Sequence, residues 1–299
     1  MNQTTVRRTS MDLGGASLLI GFSLLLGFNQ ALVKIVNDGL APVFQSGLRS
    51  ACAFLPVLGY ALWRQKRLSI TDGSLGPGLI NGLLFSGEFC LLFLALDYTS
   101  VSRVSLFFYT MPLWVALGAH FLIPGERLTA TRALGLSLAL AGVLLALSSN
   151  SDSDSPQAWK GDLMALVAAL CWAGIALLSR TTRLSQCTPE MNLLYQLAVS
   201  AVVLLLAAPL FGELVREVTP AIIAIFSFQV IVVVAIGFVV WFWILSIYPV
   251  SDMASFSLLT PVFGILAGWW MFDEQLTVGF FIALGGVGLG LVMVNSPRA

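Results

Sequence analysis

At 299 residues, 58% of them hydrophobic and only 10% charged, the chain has too little polar surface for a soluble fold, since an ordinary soluble domain is about 25% charged. Its formal net charge of zero gives no electrostatic grip on nucleic acid or on an acidic partner. The solvent that suits it is a lipid bilayer.

A helix needs about 20 largely apolar residues to cross the hydrocarbon core, and charges and turn residues mark where each crossing stops. The run that starts at Leu13 follows Arg7 and Arg8 and so imitates an export signal. No small-x-small cleavage site follows it, and it continues through Ala31, Leu32 and Val33, so it is read as a first transmembrane helix over 13–35. The next four spans are expected over 42–62, 76–97, 101–122 and 130–148, and five more over 161–180, 190–211, 220–247, 251–271 and 277–295. Val218 to Ser251 carries no charge at all but is too short for two crossings and a turn, which predicts one long, tilted helix. The segment from Ser149 to Pro156, rich in serine and aspartate, is the linker-like stretch and divides the chain nearly in half.

The halves resemble each other. Val101-Ser102 with Pro112 matches Val250-Ser251 with Pro261, and Glu126-Arg127-Leu128-Thr129 matches Glu274-Gln275-Leu276-Thr277. Pro42 corresponds to Pro189, Gly15 to Gly161 and Lys34 to Arg180, all in order at offsets of 146–149 residues. Two repeats are expected, 13–148 and 160–295. Each holds five spans, an odd number, so the second enters the bilayer from the opposite side; inverted repeats of this kind recur in secondary transporters. The expected fold is therefore an all-α integral membrane protein of about ten transmembrane helices, arranged as two inverted five-helix repeats. With the N-terminus inside, the cytoplasmic side carries Arg7, Arg8, Arg64, Lys66, Arg67, Arg127, Arg132, Arg180, Arg183 and Arg298, against Lys34, Arg103, Lys160 and Arg216 outside. That partition places both termini in the cytoplasm.

The pattern resembles the drug/metabolite transporter superfamily with two EamA-type repeats. The residues that carry the resemblance are Leu26-Gly27-Phe28-Asn29-Gln30 running to Lys34, Arg49, Leu96 to Arg103, Pro112, Pro124-Gly125-Glu126 and Ala141 to Leu145. In the second half they are Leu170-Cys171-Trp172-Ala173, Ser179-Arg180, Thr260-Pro261 and Asp273-Glu274, while Leu26 stands where the family often has tryptophan. The chain is similar in particular to bacterial exporters of amino acids, aromatic ones among them. The resemblance implies a multi-pass protein of the bacterial inner membrane with a small-molecule substrate, acting as a monomer or a weak homodimer.

Ionisable groups inside a span are costly and so are functional candidates. Arg49 in the second span and Glu88 in the third stand at comparable depth, where they could pair and staple two helices, or where Arg49 could hold a substrate carboxylate and Glu88 a proton. Gln45 and Arg49 share a helix face, as do Asn81 and Glu88, Gln30 and Lys34, and Asn192, Tyr195, Gln196 and Ser200. Such polar faces describe a common cavity, or interhelical hydrogen bonding without one. The candidate cavity residues are Gln30, Gln45, Arg49, Asn81, Glu88, Tyr109, Trp172, Tyr195, Gln196 and Gln229. Trp114, Trp241 and Trp243 also lie deep, whereas Trp63, Trp159, Trp269 and Trp270 read as interfacial. Pro112 and Pro261, at matching mid-span positions, are candidate hinges or packing kinks. Gly286 and Gly290 permit close helix approach, within the chain or between protomers.

No enzyme motif is present: His120 has no paired ligand, and there is neither a Walker loop nor a metalloprotease motif. Gly285 to Gly290 follows no strand, which excludes a dinucleotide loop. Cys52, Cys90, Cys171 and Cys187 are scattered small hydrophobes, with no metal site or disulfide frame among them. No cofactor and no nucleic acid are expected. The expected function is secondary export of small amphipathic metabolites, amino acids foremost, by alternating access. The rivals are a phosphorylated-sugar or nucleotide-sugar antiporter, for which several deep basic groups would be needed, and a non-transporting membrane-embedded protein.

Overall fold

The computed structural model describes residues 12–124, 128–148, 156–237, 240, 244 and 259–294, and the regular structure among them is helical apart from one isolated bridge, Leu40 to Val215. Helix α1 (Leu13–Asn37) opens on Asp12, whose carboxylate accepts from the Gly15 amide at 2.9 Å. Next come α2 (Pro42–Trp63) and α3 (Leu75–Tyr98). Pro42 begins α2 where a missing N–H leaves no bond unmade. The expected fourth span is two helices, α4 (Val101–Phe108) and α5 (Met111–Leu122), followed by α6 (Ala130–Ser148).

The second half holds α7 (Ala158–Thr181), α8 (Pro189–Ala207), α9 (Pro220–Phe228), α10 (Leu259–Phe272) and α11 (Val278–Val294). Thr188 caps α8 by accepting from the Met191 amide at 3.3 Å. Helix α9 does not simply run on as expected: it widens into a π-helical segment, Gln229–Ile236. Among the described residues six stretches are long and apolar enough to cross a membrane, and α9 with its extension, α10 and α11 are shorter apolar pieces. Arg7, Arg8, Glu126, Arg127, Trp241, Trp243, Val250, Ser251, Arg298 and the linker from Ser149 to Ser155 lie outside the described residues.

The strongest packing pairs are α6 with α11, α3 with α7 and α8, α2 with α8, α10 with α1 and α4, and α5 with α7. Every one joins the first half to the second. Exchanging the halves maps the pairing onto itself: α1 against α10 corresponds to α4–α5 against α7, and α3 against α8 corresponds to the α9 extension against α2. This is the architecture of interlocked inverted repeats. Between α6 and α11 the backbones come closest. A methyl added at Gly290 would run into the Gly135 carbonyl and Ala139, and one at Gly142 into Ala283 and Val287. Gly286 and Gly290 of the last helix therefore serve contact within the chain, whereas Gly285 and Gly288 meet nothing.

Both ends of the bundle are tied across elements. At the end that carries the linker, Lys34 Nζ donates to Thr99 O at 2.9 Å, and Arg216 pairs with Asp97 at 2.8 Å and donates to Asn37 O at 2.8 Å. The Glu274 carboxylate accepts from the amides of Val101 and Ser102 at 2.6 and 2.9 Å, a negative charge at the start of α4 where the helix dipole favours it. At the opposite end, Lys66 meets buried Glu190 at 2.9 Å, and Thr188 donates to Arg67 O at 3.3 Å.

Candidate functional site

The break between α4 and α5 follows from Pro112. Its ring has no N–H for the Phe108 carbonyl and would clash with it, so the helix stops at Phe108 and restarts at Met111. The hydroxyl of Thr110 turns back to Phe107 O at 2.6 Å and accepts from Trp114 Nε1 at 3.1 Å, which holds the break in place. Tyr109 is thereby left at the gap, half-buried and within electrostatic reach of Glu88. Pro261 lies in the first described turn of α10 and is buried.

Helix α2 turns Gln45, Ser46, Arg49 and Ser50 inward, all of them buried. The Arg49 guanidinium lies over the rings of Phe89 and Phe93, 4.5 and 4.7 Å from their centroids. No acceptor among the described residues hydrogen-bonds it. Glu88, one residue before Phe89 on α3, is 2% exposed and lies within electrostatic reach of Arg49, Tyr109 and Cys171. Its Oε2 has no hydrogen-bond partner among the described residues. The direct Arg49–Glu88 ion pair that equal depth suggests does not form among the described residues; the phenylalanine pair on α3 holds the guanidinium instead. A buried cation and a buried anion thus lie within electrostatic reach of each other without a direct bond.

Around them stand further buried groups. Gln45 Nε2 donates to Gln229 Oε1 at 3.3 Å, and the other amide atoms of this pair, Gln45 Oε1 and Gln229 Nε2, are unpartnered. Asn81 Nδ2 donates to Asn192 Oδ1 at 2.6 Å, and Asn192 Nδ2 donates on to Ser179 at 3.0 Å. Asn29 Oδ1, Ser46 Oγ and Asn81 Oδ1 also lack a partner, and in every case the absence is among the described residues. Buried polar atoms ordinarily find partners, so orphans on the two helices that carry Arg49 and Glu88, at Gln45, Ser46 and Asn81, fit a site whose missing partner is a solute or water.

The remaining candidates serve differently. Gln30 accepts from Ser105 at 2.6 Å and ties α1 to α4. Trp172 is half-buried against the main apolar cluster, and Gln196 is half-buried on α8. Tyr195 fills the α3–α8 seam: its ring covers Gly78 and its hydroxyl meets Ser74 at 2.9 Å, a packing role in place of a free wall. A cleft of about 520 Å³ opens elsewhere, between α10 and α11, lined by Val262, Leu266, Trp269, Phe281 and Leu284 with Glu274 among them.

Sequence reasoning passes over one buried charge pair. Arg103, counted there with the loop cations, is 8% exposed, and Asp162 is 1% exposed. Arg103 Nε donates to Asp162 Oδ1 at 2.9 Å and Nη2 to Oδ2 at 2.6 Å, while Nη2 also donates to Ala146 O at 2.9 Å. Thr99 Oγ1 adds a donor to Asp162 Oδ1 at 3.0 Å. The available signal was Asp162 itself, a carboxylate just inside the sixth expected span with an arginine at the same end of the fourth.

The sequence matches the EamA-like transporter family twice, over residues 13–148 and 159–296. It is 27% identical over 278 residues to the uncharacterized transporter YoaV of Bacillus subtilis (strain 168), covering 92% of this chain and 94% of that one. It is 26% identical to a probable amino-acid metabolite efflux pump of Salmonella typhimurium, covering 86% of this chain and 88% of the relative. A crystal structure at 22% identity superposes with a TM-score of 0.65 over 95% of this chain and 98% of the other, a likeness of fold.

Proposed function

The chain belongs to the EamA-like transporter family, and from that premise we propose that it is a secondary exporter of amino acids, aromatic ones among them, or of closely similar zwitterions. One observation carries the reading: Arg49 and Glu88 are both buried within electrostatic reach of each other, and neither has an ion-pair partner among the described residues. An α-amino acid brings one carboxylate and one ammonium. With the carboxylate on the guanidinium and the ammonium on Glu88, it would give both buried charges a partner through charge-assisted hydrogen bonds. Phe89, Phe93, Tyr109 and Trp172 offer apolar and aromatic surface for its side chain.

The repeats 13–148 and 160–295 would rock against each other about this centre, with Pro112 and Pro261 as hinges. All the groups invoked belong to one chain, so a monomer suffices. No ATPase motif is present, so the energy would come from a gradient. The efflux name of the Salmonella relative supports the outward direction.

Flux of radiolabelled solutes in proteoliposomes tests the substrate. Aromatic amino acids should exchange at least tenfold faster than the matching amine or the matching 2-oxo acid, each of which satisfies one charge and leaves the other bare. Equal rates for all three would sink the zwitterion reading.

The lysine and arginine partition further supports a bacterial inner-membrane location with cytoplasmic termini and the linker end outside. A cysteine introduced by Ser153→Cys in a cysteine-free chain should react with an impermeant maleimide added to intact cells. Reaction only after the cytoplasmic face is opened would reverse the orientation.

A further inference from the structure

The repeat relates contacts as well as helices. The offset of 147 that places Pro42 on Pro189 places Gln45 on Asn192, and the offset of 148 that places Glu126 on Glu274 places Asn81 on Gln229. Two of the bonds described above are therefore one bond with the halves exchanged: Gln45 to Gln229 at 3.3 Å and Asn81 to Asn192 at 2.6 Å. Each joins the first repeat to the second. Because the repeats are inverted, the two lie toward opposite ends of the bundle.

Their position relative to the charged centre is set by helix geometry. Gln45 lies in the first turn of α2 from the linker end, with Arg49 one turn further in. Asn81 lies near the other end of α3, with Glu88 two turns further in. The charged centre is thus bracketed by an amide pair on each side. These pairs are neutral and incompletely bonded: Gln45 Oε1, Gln229 Nε2 and Asn81 Oδ1 are buried without partners among the described residues. A bond of this kind is easily exchanged, since parting lets water or solute reach atoms that are unsatisfied while it is closed. The Gln229 member also sits where α9 changes to a π-helix, a departure from regular geometry that often marks functional positions.

We propose that the two amide pairs are the gates of the transport chamber, Gln45–Gln229 toward the linker end and Asn81–Asn192 toward the opposite end, opening in alternation. The proposal rests on the alternating-access reading of the Arg49–Glu88 centre. Asn192 thereby gains a role in transport that its half-exposed position on α8 does not advertise.

The test uses the full chain with Cys52, Cys90, Cys171 and Cys187 replaced by serine and with Tyr109→Cys as a single reporter at the centre. Its reaction rate with an impermeant methanethiosulfonate is measured in right-side-out and inside-out vesicles. Gln45→Ala should raise the rate from the linker side about fivefold, the factor one ordinary hydrogen bond is worth, and lower it from the other side. Asn81→Ala should do the reverse. As a check independent of weakened variants, Gln45→His with Gln229→His should lose linker-side labelling on addition of Ni²⁺, keep labelling from the other side, and recover with EDTA.

Shifts in the same direction for both alanine variants, unchanged rates, or a nickel clamp that blocks both sides equally would overturn the gates while leaving the chamber intact. A reporter that reacts from neither side in any variant would overturn the chamber and the gates together. Labelling needs no substrate, so a wrong solute class would show only in flux.

Discussion

Arg49→Ala should lower amino-acid exchange in proteoliposomes by roughly 10- to 100-fold, the worth of a charge-assisted bond to a carboxylate, while the purified protein melts only slightly lower than the unsubstituted chain. The two halves of that expectation have one cause. The guanidinium is buried over Phe89 and Phe93 with no hydrogen-bond acceptor among the described residues. The two ring contacts it loses are worth about 0.5–2 kcal/mol each and no hydrogen-bonded carboxylate is stranded, so the fold loses little even as the anchor for a substrate carboxylate is removed. Arg49→Lys should fall between the two in transport. It keeps the charge but loses the planar face that stacks on the rings and the fork that grips two oxygens. Normal exchange by a well-folded Arg49→Ala protein would remove Arg49 from the site. A large fall in melting temperature would make it a structural residue.

Arg103→Met should behave in the opposite way, destabilising the protein by about 3–5 kcal/mol because it strands the Asp162 carboxylate in the bundle. The pair is bidentate, and the same assembly takes in Ala146 O and the Thr99 hydroxyl, so α4, α6, α7 and the end of α3 meet there. Removing both charges should recover much of the loss, since an apolar replacement of a whole buried pair is often close to neutral. The measurement is a double-mutant cycle on thermal unfolding in detergent, with Arg103→Met, Asp162→Leu and the two combined. Simple addition of the two single effects would show that the residues are not coupled. Two arginines of one chain thus differ in use, and what separates them is the set of hydrogen bonds each makes.

Most of the helical layout is legible in the sequence because charge is so scarce that each cluster of it marks a membrane surface. The repeat is legible for a similar reason: prolines and glutamates at equal spacing stand out against an apolar background. The inward faces of α2 and α3 could be read from Gln45 with Arg49 and from Asn81 with Glu88, each pair on one face of a helix and all four buried. Partnership could not be read. Equal depth in two spans suggests that Arg49 meets Glu88, but depth says nothing of rotation about the helix axes, and the guanidinium lies over Phe89 and Phe93 instead. The same blindness hides Asp162 from Arg103, which lie 59 residues apart in the chain. It also hides the change to π-helix at Gln229, which has neither proline nor glycine to announce it.

The seam between α6 and α11 has a consequence for how the chain is made. Helix α6 ends at Ser148 and α11 at Val294, and Gly135 and Gly142 press against the backbone and small side chains of α11. While the ribosome is still adding the residues between them, at about 5–20 per second, α6 must wait in the bilayer for roughly ten seconds or more with that small-residue face turned to lipid. The other major pairings also reach from an early helix to a late one, so the first half cannot complete its contacts before the second arrives. Assembly is therefore a closing event that waits for α11, which completes the backbone contact that the first half has kept open.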